Sequence, residues 1–168
     1  MVKFTWHNGE IPNNLKIKQV YGVIFTKNGQ MLLMVKERDN QMIYSLSGGT
    51  PEIYDADIEA TLRRELIEEI NTTIEKPILI GYQDVDEDNG KPIYAQVRMV
   101  AKINNIGESK PDVDGEETYK RLLTYPERAI ELLNWGESGK LMVEEAVRVA
   151  KEKLKVEFTC KTDKWVEM

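Results

Sequence analysis

Between positions 58 and 70 an apolar residue recurs at every fourth place: Ile58, Leu62, Leu66 and Ile70. At about 100° per residue this spacing predicts a helix with one apolar stripe, which packs on a core and leaves the charged positions between them on its flanks. Upstream, Lys18 to Phe25 and Met31 to Lys36 are runs of β-formers, and Asn28-Gly29 between them suits a tight hairpin. A short apolar strand then ends in Ser45-Leu46-Ser47-Gly48-Gly49, where glycines let the backbone approach a ligand. After the helix, Ile78 to Val85 and Ile93 to Ile103 predict a second hairpin around the polar turn 86–92. Tyr119 to Thr124 reads as a short strand, Pro126 to Leu133 as a helix opened by proline, and Leu141 to Leu154 as a further helix with Ser138 as its N-cap. The charged tail from Lys155 to Met168 could add an edge strand. The result is an α/β chain, a mixed β-sheet between helices, with no linker or internal repeat and so one domain over residues 1–168.

The first helix also carries the chemistry. In Arg64-Glu65-Leu66-Ile67-Glu68-Glu69, three carboxylates stand at i, i+3 and i+4, on one face within a single turn. Acidic residues on a solvated helix face are common, and the string alone would mean little. The apolar stripe changes the weighing, because it holds the helix rigidly and makes the acids project sideways. A hard divalent cation such as Mg²⁺ or Mn²⁺ relieves the repulsion between such carboxylates and takes oxygen ligands.

A Gly-Gly loop followed by an Arg-Glu-apolar-x-Glu-Glu helix resembles the Nudix box of the Nudix hydrolases, here covering about Gly48 to Thr72. Strand-like runs 19–25 and 94–100 fall where that family has core strands. The resemblance implies a Nudix-type α/β/α sandwich and a MutT-like, divalent-metal-dependent pyrophosphohydrolase. Such an enzyme cleaves a nucleoside diphosphate linked to another moiety: a nucleoside triphosphate, ADP-ribose, a sugar nucleotide or the like. Carried over by resemblance, Glu65 and Glu69 are the principal metal ligands, Glu68 a further ligand directly or through water, and the carbonyl of Gly48 an extra one. Arg64 orients a carboxylate through a forked ion pair, and Arg63 faces solvent. Gly49 and Glu52 are supporting candidates. The general base comes from a helix Glu or from the loop acids Asp112, Asp114, Glu116 and Glu117, of which Glu117 is preferred, against an equally weighted reading as a solvated acidic loop.

Two departures stand out. The family pattern has a Glu six residues after the second Gly and eight before the Arg; here the segment is one residue longer, with Asp55 at the first spacing and Ala56 at the second, so that Asp55 or Asp57 substitutes. Asn71 replaces the Gly after the box helix, a change Asn tolerates because it enters the left-handed conformation readily. The principal alternative is a non-catalytic regulatory module on the same fold that binds a nucleotide or ADP-ribose; intact Glu65, Glu68 and Glu69 weigh against it. Tyr21, Tyr44, Tyr119 and Trp135 are candidates to stack on a base, although aromatics at such places are commonly core.

Composition narrows the partners. A net charge of −6 and a pI near 5.0 exclude a broad basic face for a nucleic-acid polymer; a bound cation reconciles the acidity with a phosphate-bearing small molecule. The lone Cys160 forms no internal disulfide, no signal-peptide core or run of about 18 apolar residues is seen, and a cytoplasmic protein off the membrane is expected. A homodimer is the assembly the resemblance implies. Asp84-Val85-Asp86-Glu87-Asp88 imitates a calcium loop but has Asn89 where glycine is needed, and Gly136-Glu137-Ser138-Gly139-Lys140 lacks the first glycine and the final hydroxyl of a P-loop. His7, the only histidine, has no second histidine for a zinc site.

Overall fold

A computed structural model describes residues 1–111 and 118–167. In chain order it comprises strands β1 (Lys3–Asn8), β2 (Lys16–Phe25), β3 (Met31–Arg38), β4 (Gln41–Ser45) and β5 (Ser47–Gly49), then helix α1 (Ile58–Ile70). Strands β6 (Thr72–Ile74), β7 (Ile78–Asp86), β8 (Tyr94–Ile106) and β9 (Lys120–Thr124) follow, then helices α2 (Pro126–Leu133) and α3 (Gly136–Lys153), and the short strand β10 (Lys164–Trp165). The main sheet runs β1-β7-β8-β2-β3-β9-β10, with β4 on β3, β5 on β2 and β6 on β8. Its centre is the parallel pair β2 with β8, from Lys16↔Tyr94 to Phe25↔Lys102; among the described residues the other pairings are antiparallel.

Both faces of β2 are covered, which is why it reads as a continuous apolar run rather than an alternation. Ile24 and Val20 point to α1 and pack with Leu62, Leu66, Ile70 and Val97. Their neighbours Val23 and Phe25 point the other way, to Ala129, Met142, Val143 and Ala146 of α2 and α3. Helices on both faces of a mixed sheet give the expected α/β/α architecture. The stripe of α1 is buried as its spacing predicts, with Leu62 and Leu66 fully enclosed. Asn71 closes the helix with φ 45° and ψ 51°, its N–H bonded to the Ile67 and Leu66 carbonyls, so the left-handed residue required there is supplied without glycine.

The tail does add an edge strand: Lys164 and Trp165 pair with Leu123 and Leu122. Buried Arg121 ties this tail to the box helix, its Nη1 donating to the Ile70 carbonyl at 2.7 Å and its Nε to Glu167 Oε1 at 2.7 Å. One expectation is corrected. Ser138 is not a cap but lies inside α3, which begins at Gly136, and its hydroxyl donates to Gln83 Oε1 at 2.8 Å. Arg63 is partly exposed and also bonds Glu59 at 3.0 Å and the Ile74 carbonyl at 2.8 Å, bracing α1 to β6. Strands β1 and β6 were not foreseen, since neither has an apolar pattern that stands apart from its flanks. Among the described residues no helix is long and apolar enough to cross a membrane.

Since Leu62 joins α1 to the sheet with no exposed surface, Leu62→Ala should lower unfolding stability by about 2–5 kcal/mol in urea titrations. The melting temperature should fall by roughly 2–4 °C per kcal/mol.

Candidate active site

Helix α1 presents its acids to β5 because both ends of the contact are fixed locally. Asp57 caps the helix, its carboxylate accepting the Ala60 N–H at 2.8 Å. Strand β5 is held on β2 by the pairs Gly22↔Ser47, Tyr21↔Gly48 and Val20↔Gly49. The approach is too close for side chains: a Cβ at Gly48 would lie 2.0 Å from the Val20 carbonyl oxygen, and one at Gly49 would lie 2.4 Å from the Glu65 carboxylate. Glu69 is tied to the same loop, its Oε1 accepting from the Ser47 hydroxyl at 2.7 Å and from the Gly48 N–H at 3.0 Å. Glu65 and Glu69 therefore flank one glycine pair.

Arg64 organises the remaining charges. It forms the forked pair expected of it, Nε to Asp55 Oδ1 at 3.1 Å and Nη2 to Asp55 Oδ2 at 2.9 Å. Its Nη1 reaches Glu65 at 3.0 Å and Glu68 at 3.3 Å, and its Nη2 also reaches the Thr50 carbonyl at 3.1 Å. Asp55, not Asp57, thus stands opposite Arg64, because Asp57 is committed to the helix cap. Asp55 further accepts from the Thr61 hydroxyl and the Glu52 N–H; hydrogen bonds from Arg64 above all hold its carboxyl below the usual carboxylate range. Glu52 gives that N–H and leaves its side chain exposed. The loop acids Asp112, Asp114, Glu116 and Glu117 lie outside the described residues.

Burial, reinforced by the negative charges of Glu69 and Glu68 and opposed by Arg64, raises the Glu65 carboxyl to about 7. A carboxyl raised in this way is one whose anion has too little positive charge beside it, Arg64 being shared with Asp55 and Glu68, and a divalent cation would supply the rest. Among the described residues no three acidic, histidine or cysteine side chains converge as a preformed ligand set, since Glu68 is drawn to Arg64. Mg²⁺ needs no such cage: it keeps several waters and is commonly bound through one or two carboxylates. The two carboxylates beside Gly48-Gly49 fit it.

Beside this loop opens a pocket of about 490 Å³, walled by Phe4, Tyr21 and Trp135 and floored by Arg98, with Gln83 and Gln96 among its polar groups. Of the aromatic residues singled out in the sequence, Tyr21 and Trp135 meet here, whereas Tyr44 and Tyr119 do not line it. Phe4 and Arg98 escaped the sequence reading. The available signal for Arg98 was a charge inside the otherwise apolar run from Val97 to Ala101.

Residues 16–142 match the family model described as the NUDIX domain. A NUDIX hydrolase from Listeria monocytogenes superposes with a TM-score of 0.60 at 21% identity, covering 81% of this chain and 95% of its own. A pyrophosphohydrolase of Bacillus subtilis superposes with a TM-score of 0.57 at 18% identity, covering 90% and 89%. A structure of MutT from work on Aliivibrio salmonicida and Vibrio cholerae gives 0.55 at 17%, covering 79% and 98%. No curated protein is similar enough in sequence to count as a relative.

The Glu65 shift has a signed consequence for metal-free protein. Between the unfolded value of 4.5 and the folded value of about 7 the folded state binds more protons, so stability falls as pH rises through that window. In chemical denaturation, Glu65→Gln should remove this fall, gaining up to about 3 kcal/mol on wild type between pH 4.5 and 7.

Proposed function

Because the chain belongs to the Nudix family and is a pyrophosphohydrolase of that kind, we propose that it hydrolyses a phosphoanhydride of a nucleoside diphosphate derivative with Mg²⁺ or Mn²⁺ as its cofactor. The observation that carries this reading is that helix α1 sets the Glu65 carboxylate against Gly49 and the Glu69 carboxylate against Gly48. Glu65 and Glu69 would hold the cation, with the Gly48 carbonyl as a further oxygen ligand. Bound there, the cation neutralises phosphate charge and acidifies water.

The protein groups have distinct tasks. Ser47 and the Gly48 N–H fix one Glu69 oxygen and so aim the carboxylate at the loop. Arg64, itself fixed by Asp55, restrains Glu65 and Glu68. Among the described residues Glu68, bound to Arg64 by a single 3.3 Å contact, is our choice to orient the attacking water and receive its proton; Glu117, the base preferred from the sequence, lies outside them. The water oxygen bonds to phosphorus while the bridging P–O bond breaks, and the electron pair leaves with the departing phosphate. A substrate carrying at least two linked phosphates suits this charge distribution, and the aromatic pocket alongside suits its nucleoside.

Glu69→Gln keeps the shape and the Ser47 contact but removes the ligand charge. Hydrolysis of nucleoside triphosphates, ADP-ribose and sugar nucleotides, followed by chromatography with Mg²⁺ or Mn²⁺, should be lost with chelator. The variant should turn over at least about 100-fold more slowly at an unchanged melting temperature. Full activity in Glu69→Gln, or turnover indifferent to chelator, contradicts the assignment.

A further inference from the structure

Arg98 poses a problem that the hydrolytic site does not solve. It is 3% exposed, in the middle of β8, and among the described residues it meets no carboxylate. Its one hydrogen bond runs from Nη1 to the Gln96 carbonyl at 3.3 Å, and Nε is buried with no partner. Tyr21 and Trp135 hold the guanidinium by their rings, at 4.8 and 5.7 Å from the centroids. Burial lowers its pKa to about 10, which still leaves it charged at neutral pH. An unpaired buried charge is costly to folding and is retained where a ligand completes it.

The surroundings say which ligand. The amides beside Arg98 are already engaged in a relay: the Ser138 hydroxyl donates to Gln83 at 2.8 Å, Gln83 to Gln96 at 3.0 Å, and Gln96 to Gln19 at 3.2 Å. Arg98, by contrast, is a cation whose buried Nε is left unpartnered, and a guanidinium donates only and accepts nothing. Phe4, Tyr21 and Trp135 provide aromatic walls, which suit a flat ring better than a phosphate. Tyr21 stands opposite Gly48 on one side and Arg98 on the other, so a ring in the pocket lies beside the acidic loop. A purine with an oxo group at C6 offers two adjacent acceptors, O6 and N7, to such a fork; adenine turns an amino donor toward it.

Taking the nucleotide-hydrolase reading as its ground, we infer that this pocket selects the base of the substrate and that Arg98 is a specificity residue favouring 6-oxopurines, guanine and hypoxanthine, over adenine. The test uses 5′-monophosphates, which have no anhydride to hydrolyse, titrated calorimetrically with Mg²⁺ present. GMP and IMP should bind about 5- to 150-fold more tightly than AMP, and purine riboside monophosphate, which lacks O6, should bind like AMP. Arg98→Met, similar in length and without donors, should erase the difference. Equal affinities, tighter binding of AMP, or a preference unchanged in Arg98→Met would overturn the inference. So would displacement of IMP by inorganic phosphate in wild type but not in Arg98→Met, which would make Arg98 a phosphate ligand. Should Arg98→Met fail to fold, the comparison of IMP with purine riboside monophosphate on wild type decides alone. Guanine preference in a protein that hydrolyses nothing would defeat the hydrolase reading only; hydrolysis without base preference would defeat this one only.

Discussion

Strand β5 is so tightly held between β2 and helix α1 that neither residue 48 nor residue 49 can carry a side chain: a Cβ at the first would meet the Val20 carbonyl of β2, and at the second the Glu65 carboxylate of α1. The closeness comes from the apolar stripe, since Leu62 and Leu66 are fully buried against the sheet and set the height of the helix above it. Everything chemical about the site depends on that contact. It brings the Glu65 carboxylate against the loop, lets a backbone N–H and the Ser47 hydroxyl anchor Glu69, and strips water from a cluster of negative charge.

That cluster would be unstable without Arg64, which meets Asp55, Glu65 and Glu68 together. One guanidinium cannot neutralise them all, and the Glu65 carboxyl carries the residue of the imbalance as a raised pKa. The site is thus rigid and short of positive charge at once, which is the condition under which a divalent cation binds and stays solvated on its outer side. Across the sheet the sign reverses. Arg98 is a buried cation short of negative charge, with Tyr21 between it and the acidic loop. A phosphate-linked, acceptor-bearing ligand answers both deficits.

Much of this was legible in the residues alone. The spacing of Ile58, Leu62, Leu66 and Ile70 gives the helix and its buried face, the Asn28-Gly29 turn gives the β2–β3 hairpin, and Pro126 gives the start of α2. Asn71 declared its left-handed conformation by being the residue type that tolerates one. What was not legible depended on partners remote in sequence. Strand β1 is exposed along most of its length and is a strand because it pairs with β7, more than 70 positions away. Ser138 has the composition of a cap, yet Gly136 opens the helix and leaves that hydroxyl to Gln83. The choice between Asp55 and Asp57 turned on which of them the helix N-terminus had already claimed. The setting of Arg98 was not legible either, because Tyr21, Trp135 and Phe4, which close around it, come from three separate segments.

The most direct measurement is the position of a bound ion. Crystals soaked in Mn²⁺ and measured at its absorption edge should show anomalous density beside Gly48-Gly49, within coordination distance of oxygens of both Glu65 and Glu69. Strong density elsewhere, or none at that loop while Mn²⁺ accelerates hydrolysis, would contradict the assignment of the metal to these carboxylates.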